Sequence, residues 1–256
     1  MNTNLLSIKD LEFISITQIV SRANELKALY RTGIINHQQM SGQIVATVFS
    51  ENSTRTRLSF TLAAKELGAT VLDYDMSRSS TKKGECLLDT LLTLEALGVR
   101  FFVIRYHNEA TLAAAIKQLP QCHFINAGNG QVEHPTQALA DFMTVLSYHP
   151  ELENLTINVV GDTLHSRVAR SNVYLWQKLG VKDIRFVGPK SLTAKMPRVK
   201  CFERLSEGIK GADIIMCLRI QRERLKDSDY IDLIAYQQQY CLRPEHLELA
   251  KEDAMI

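Results

Sequence analysis

The sequence is short of most features that would take a chain outside the ordinary globular class. It has no strong charge of either sign: 30 Lys plus Arg against 28 Asp plus Glu leave a formal net charge of +2 with histidine neutral. A general nucleic-acid binder carries a marked basic excess, so no nucleic-acid partner is expected. It has no long apolar run. Stretches such as Leu112 to Ile116 and Ile214 to Leu218 fall far short of the ~18 residues of a spanning helix, so no membrane association is expected. The N-terminus, MNTNLLSIKDLEFIS, interrupts its first apolar stretch with polar residues and offers no small-residue cleavage site, which argues against a secretory signal. Five cysteines (Cys86, Cys122, Cys201, Cys217 and Cys241) are scattered, odd in number and without a CxxC pair, the usage of reduced thiols in a cytoplasmic protein. His37, His107, His123, His149, His165 and His246 show no HxxxH or HExxH spacing, so no bound metal is expected. Gly161-Asp162-Thr163 and Gly128-Asn129-Gly130 do not complete the GxGxxG of a dinucleotide site. There is no internal repeat and no low-complexity tract.

What is present is a 256-residue chain with 45% hydrophobic and 23% charged residues, the balance of a soluble globular protein. At about 150 residues per domain, that length allows one to two domains. Such a chain buries roughly 70–75% of its unfolded surface and needs no disulfide staples. Short β-rich runs alternate with longer helical patterns. Gln43 to Phe49, Thr70 to Tyr74, Phe101 to Tyr106 and His123 to Asn126 read as strands. Between and after them, Thr54 to Leu67 and Glu85 to Leu97, each closed by a glycine, and Ala110 to Leu119 and Pro135 to Tyr148 read as helices. The polar segment Ser147 to Leu155, which contains Pro150, separates this series from a second. There Ile157 to Val160, Asp183 to Val187 and Asp213 to Leu218 read as strands, Ser166 to Leu179 and Phe202 to Lys210 as helices, and Asp229 to Tyr240 and Pro244 to Lys251 as weaker helices. The alternation predicts an α/β fold of two domains, residues 1–148 and 149–256, each a parallel sheet with helices on both faces. Ala254-Met255-Ile256 looks like the opening of one more strand.

Three segments of the first half carry chemistry. Phe49-Ser50-Glu51-Asn52-Ser53-Thr54-Arg55-Thr56-Arg57 lies where a strand ends and a helix begins. Amides at a helix start point outward and the helix dipole adds partial positive charge. Hydroxyls of Ser53, Thr54 and Thr56 and the planar fork of Arg55 complete a phosphate cradle without P-loop glycines. An ordinary serine cap followed by solvated arginines has the same appearance. Ser77 to Glu85 is a cationic, hydroxyl-rich loop that suits either closure over an anion or plain solvation. His134-Pro135-Thr136-Gln137 opens a helix, with Pro135 suited to its first turn. His134 and Gln137 then face one strand-end crevice, as does Arg105 from another strand, and all three suit a single carbonyl oxygen. A capping histidine is the plainer alternative. In the second half, Asp162 to Arg170 sits at a strand-to-helix junction and Arg219 to Arg224 follows a strand. Two strand-end arginines suit a dicarboxylate, although surface arginines pairing with Glu223 or Asp227 need no ligand.

Ser53-Thr54-Arg55-Thr56-Arg57, Ser79 to Lys83 before Gly84-Glu85, Arg105 and His134-Pro135-Thr136-Gln137, taken in order, resemble the carbamoyltransferase family. Arg167 within SRVARSN, and Arg219-Ile220-Gln221 with Glu223-Arg224, resemble its aspartate-specific branch; ornithine-type relatives carry a late His-Cys-Leu-Pro that is not found here. The resemblance implies carbamoyl phosphate on the first domain and L-aspartate on the second, in a homotrimer whose active sites are shared between chains. It implies that Ser53, Thr54, Arg55 and Thr56 hold the phosphate, with Ser79 and Lys83 from a neighbouring chain. It makes Thr56, Arg105 and His134 catalytic, as donors to the carbamoyl oxygen, and has Gln137 orient the carbamoyl nitrogen. Lys83, Arg167, Arg219 and Gln221 would hold aspartate. No cofactor is implied. The setting would be cytoplasmic pyrimidine synthesis, with association with regulatory chains or a dihydroorotase left open. Family members continue past the strand at Ala254 into a His-Pro-Gly-Pro-type loop and a terminal helix, so the resemblance implies a C-terminally truncated chain with weaker domain closure and impaired or absent activity. A non-catalytic carbamoyltransferase-like binding protein, or transfer to another amino acid such as ornithine, are the alternatives.

Overall fold

The computed structural model describes residues 4–33, 38–76, 85–225 and 231–256. The chain divides into two compact units, Met1–Met143 and Thr144–Ile256. This division falls inside a helix whose last residue, Tyr148, is where the sequence reading ends its first domain.

In unit one, elements run α1 (Phe13–Thr32), β1 (Ile44–Phe49), α2 (Thr54–Glu66), β2 (Thr70–Asp75), α3 (Leu87–Ala96), β3 (Phe101–Arg105), α4 (Glu109–Lys117), β4 (His123–Asn126) and the start of α5 (Pro135–Tyr148). The four strands are parallel in the order β2-β1-β3-β4. A central parallel strand is covered on both faces and reads as a continuous apolar run, as β1 does: IVATVF, buried after its first residue. Ala46, Val48, Phe102 and Ile104 pack with Leu87, Leu91 and Leu94 of α3 and Leu112 and Ala115 of α4. Val45, Phe49 and Val103 pack with Ala64 of α2. Right-handed crossovers require this arrangement, because α2 leads one way along the sheet and α3 and α4 lead back the other way.

Unit two continues from α5 with β5 (Thr156–Val160), α6 (Arg167–Lys178), β6 (Asp183–Val187), β7 (Val199–Phe202), α7 (Leu205–Gly208), β8 (Ile214–Cys217), α8 (Leu233–Tyr240) and α9 (Pro244–Leu247). Its sheet is also parallel, ordered β7-β6-β5-β8. Ile157 and Val159 pack with Ala169, Val173 and Trp176 of α6, while Val160, Val187 and Ile215 pack with Leu205 of α7 and Tyr240 of α8. The expected α/β architecture, two parallel sheets flanked by helices, is therefore the one observed.

Two local expectations need correction, and one helix was not expected at all. The 20-residue helix α1 has no counterpart in the sequence reading; only Ile16 and Val20 of it are buried, so its apolar residues mark no single face. The helix expected over Phe202 to Lys210 is only the four-residue α7, because Phe202 ends an edge strand, β7, whose four residues are half-buried or exposed. The helix expected from Asp229 starts at Leu233, where Asp232 accepts from the Ile234 and Ala235 amides at 2.9 and 3.1 Å; residues 226–230 lie outside the described part. The strand opening at Ala254 takes the form of a parallel bridge from Met255 to Ile214 beside β8, with the Ile215 amide donating to the Met255 carbonyl at 2.9 Å.

Candidate active site

Strand order reverses between β1 and β3 in unit one, and ligands of open parallel sheets bind at the carboxyl ends of strands flanking such a reversal. Phe49, the last residue of β1, pairs in register with Arg105, the last of β3. The Ser50 amide donates to the Arg105 carbonyl at 2.9 Å, which fixes the turn leading into α2. Ser53 is the N-cap of α2 but makes no side-chain cap bond. The first backbone bond returning to it, from Arg57 to the Ser53 carbonyl, is 3.2 Å long. Thr54, Arg55 and Thr56 thus form the turn whose amides have no intrahelical acceptor, at the positive end of the helix dipole.

Arg55 and Thr56, with Ser59 and Phe60, line a cleft of about 390 Å³ whose other wall is His134, Thr136 and Gln137. Two motifs distant in sequence thus meet, one at the head of α2 and the other at the head of α5. The His134 carbonyl caps α5, accepting from the Gln137 and Ala138 amides at 3.1 and 3.2 Å. Its ring is buried; burial, then the nearby charge of Arg105, pushes the imidazole pKa down to about 4. The ring is therefore neutral at physiological pH and retains one N–H. The Thr136 hydroxyl lies 3.3 Å from Nδ1, within hydrogen-bond reach of the ring.

Arg105 is held by Glu51, whose Oε2 accepts from Nε at 3.1 Å and from Nη2 at 3.0 Å. The sequence reading gave Glu51 no role; its signal was the lone acid within a hydroxyl-rich, cationic run. Arg57 serves α2 rather than the cleft, with Nε 2.6 Å from Asp73 and Nη1 3.3 Å from Asp75 on β2. The Gln137 side-chain amide donates to Asp141 on its own helix at 2.8 Å. Ser79 and Lys83 lie outside the described residues.

In unit two the order reverses between β5 and β8. Gly161 follows β5 at φ 118°, and a Cβ there would lie 2.5 Å from the Leu218 carbonyl, so only glycine allows the two strand ends this close an approach. Asp162 is fully buried. Its carboxylate accepts from the His165 amide and the Gln221 amide, both at 3.1 Å, and lies 2.9 Å from His165 Nδ1. Arg224 donates to the His165 carbonyl at 2.6 Å. These bonds tie the loop after β8 to the loop after β5, and they are the part of this region the sequence reading missed; its signal was a Gly-Asp pair at a strand end.

Arg167 is the first residue of α6, 6% exposed. A cation at a helix N-terminus opposes the dipole, a placement that costs stability unless an anion shares it. Gln221 contributes its backbone to Asp162. Arg219 is exposed and makes an ion pair with Glu223, at 2.9 and 2.5 Å, so the pairing weighed from the sequence is present. The Arg219 hydrogen bonds hold the Glu223 carboxyl down at about 2. Among the described residues no group of three His, Cys, Asp or Glu side chains could hold a metal ion, and no helix is long and apolar enough to cross a membrane.

Residues 3–147 match the family described as aspartate/ornithine carbamoyltransferase, carbamoyl-P binding domain. The chain is 41% identical over 256 residues to the aspartate carbamoyltransferase catalytic subunit of Agrobacterium fabrum, covering 99% of this chain and 81% of that protein. It is 41% identical over 257 residues to that of Sphingopyxis alaskensis, covering 99% and 74%. Its fold is similar to the crystal structure of aspartate transcarbamoylase from Trypanosoma cruzi in complex with carbamoyl phosphate and aspartate, with a TM-score of 0.85, 26% identity and coverage of 100% of this chain and 84% of that one. With the family model matching more than half of the chain and the 41% identical relatives aligned over 99% of it, the protein belongs to the aspartate/ornithine carbamoyltransferase family.

Proposed function

We propose that this protein transfers the carbamoyl group of carbamoyl phosphate to the amine of L-aspartate, giving N-carbamoyl-L-aspartate and phosphate. The observation that carries the proposal is the cleft in which Arg55 and Thr56 face His134 and Gln137: a cationic, amide-rich anion seat opposite a neutral hydrogen-bond donor. The phosphate sits on the turn Ser53, Thr54, Arg55 and Thr56, and charge-assisted bonds there contribute about 1.5–3 kcal/mol each. The carbamoyl oxygen faces Thr56, Arg105 and the His134 N–H, and Gln137 orients the carbamoyl nitrogen. As the neutral amine attacks the carbamoyl carbon, negative charge grows on that oxygen, and donors already in position stabilise it. The C–O bond to phosphate then breaks and the amine sheds its surplus proton. Removing one such donor costs about 2.7–4 kcal/mol. Arg167, Arg219 and Gln221 take the aspartate carboxylates, Arg219 exchanging Glu223 for substrate.

The same reading assigns carbamoyl phosphate to unit one and aspartate to unit two. It also assigns Ser79 and Lys83 to the active site of a neighbouring subunit in a homotrimer, Lys83 touching both substrates, and places the enzyme in cytoplasmic pyrimidine synthesis. A steady-state assay with aspartate and ornithine side by side tests it. Carbamoyl aspartate formation supports the proposal; turnover with ornithine instead defeats the acceptor assignment; no turnover with either leaves a binding role. Sedimentation velocity tests the trimer.

A further inference from the structure

Residues 4–8 run along the outer edge of β4. Leu5 forms a parallel bridge with Ile125, donates to the Phe124 carbonyl at 2.8 Å and accepts from the Asn126 amide at 2.9 Å. Asn126 Nδ2 donates to the Leu6 carbonyl at 2.8 Å, and its Oδ1 accepts from the amides of Gly128 and Asn129 at 2.7 and 2.8 Å. One side chain thus joins this N-terminal strap to the loop that leads from β4 to His134. The far end of that loop is Glu133, 3% exposed. Its Oε1 accepts from the Ser7 hydroxyl at 2.5 Å and its Oε2 from the Ile8 amide at 2.8 Å. Glu133 also lines a mainly apolar cavity of about 290 Å³ with Leu6, Leu112, Ile116 and Val132, and with Lys9 at its polar side. A carboxylate in such surroundings is costly unless both oxygens are bonded, and here the strap bonds both. His134 is the next residue.

We propose that Glu133 is a positioning residue for carbamoyl transfer: by clamping the N-terminal strap at Ser7 and Ile8 it holds the loop that sets the His134 ring in the cleft. The proposal rests on the function given above. Glu133 itself touches no substrate. Its effect passes through His134, and misplacing a catalytic group by about 1 Å can cost on the order of 100-fold in rate.

The test compares wild type with Glu133→Ala, Glu133→Gln and Ser7→Ala, measuring kcat, KM for carbamoyl phosphate and the His134 Cε1–H resonance in proteins whose circular dichroism matches wild type. Glutamine keeps both bonds, its oxygen accepting from the Ile8 amide and its NH2 donating to Ser7. The expected result is a fall in kcat of about 10- to 100-fold for Glu133→Ala with KM little changed, a displaced His134 resonance, and recovery of both in Glu133→Gln. A kcat for Glu133→Ala equal to wild type, or Glu133→Gln as impaired as Glu133→Ala, overturns the proposal. If Glu133→Ala does not fold, Ser7→Ala stands in, with a smaller displacement of the same resonance expected and an unmoved resonance overturning the idea. If wild type itself makes no carbamoyl aspartate, the functional reading fails, and the clamp is judged on the His134 resonance alone.

Discussion

Lowering the pH tests the claim that His134 is kept neutral. Its imidazole ordinarily titrates at 6.5, and in the fold burial followed by the Arg105 charge brings it to about 4. The folded state therefore binds a proton less readily than the unfolded state. Above pH 6.5 neither state is protonated and the residue makes no pH-dependent contribution. As pH falls from 6.5 toward 4, the unfolded chain takes up a proton that the folded chain refuses, so stability is lost across that window. With these two values, the loss between pH 8 and pH 5 is about 2 kcal/mol, and the full difference below pH 4 is about 3.4 kcal/mol. Urea unfolding should be followed through unit-one amides, because the single tryptophan, Trp176, packs in the unit-two core. Wild type should lose about 2 kcal/mol more than His134→Asn between the two pH values. An NMR titration of the His134 Cε1–H should have its midpoint near 4, and the acid limb of kcat above pH 5 should belong to other groups. A midpoint near 6.5, or the same pH dependence in both proteins, would refute the reasoning.

Arg55→Ala should weaken competition by inorganic phosphate about 10- to 150-fold, the equivalent of one charge-assisted bond; an unchanged inhibition constant removes Arg55 from the anion seat. Glu223→Gln should lower KM for aspartate by up to about fivefold, because an exposed ion pair contributes no more than about 1 kcal/mol and Arg219 no longer has to leave it; a raised KM means that Glu223 holds Arg219 in its working position. Gly161→Ala should lower the melting temperature well beyond Gly211→Ala. Both sites have positive φ, but a Cβ at Gly211 meets nothing within 4 Å whereas one at Gly161 meets the Leu218 carbonyl at 2.5 Å. Equal losses in differential scanning calorimetry would show that φ alone sets the cost.

Much of the fold was legible because short-range rules carry it. Helix α5 spans Pro135–Tyr148, the range read from the sequence, since a proline suits its first turn and a polar stretch follows it. Strand β1 shows as an unbroken apolar run because both of its faces are covered. Helix α1 was not legible: Phe13, Ile14, Ile19, Leu29 and Tyr30 of it are exposed, so no apolar stripe marks it. Strand β7 lies at an edge and is too short and too exposed to show a period.

The candidate site divides along the same line. Residue types and helix starts are properties of a few neighbouring residues, so the Ser53–Thr56 turn, the Pro135 start and the strand-end arginines could be read directly. Their company could not. That Glu51 holds Arg105, that Asp162 receives the Gln221 amide, and that Glu133 reaches back to Ser7 depend on which strands lie side by side. That order is set by crossover handedness and by burial between residues far apart in sequence. The sequence alone determined which side chains were available and where helices would present their amides. Only the tertiary structure decided that the His134 ring is neutral, because the pKa of a side chain responds to its depth and to the charges around it, and neither is a local property of the chain.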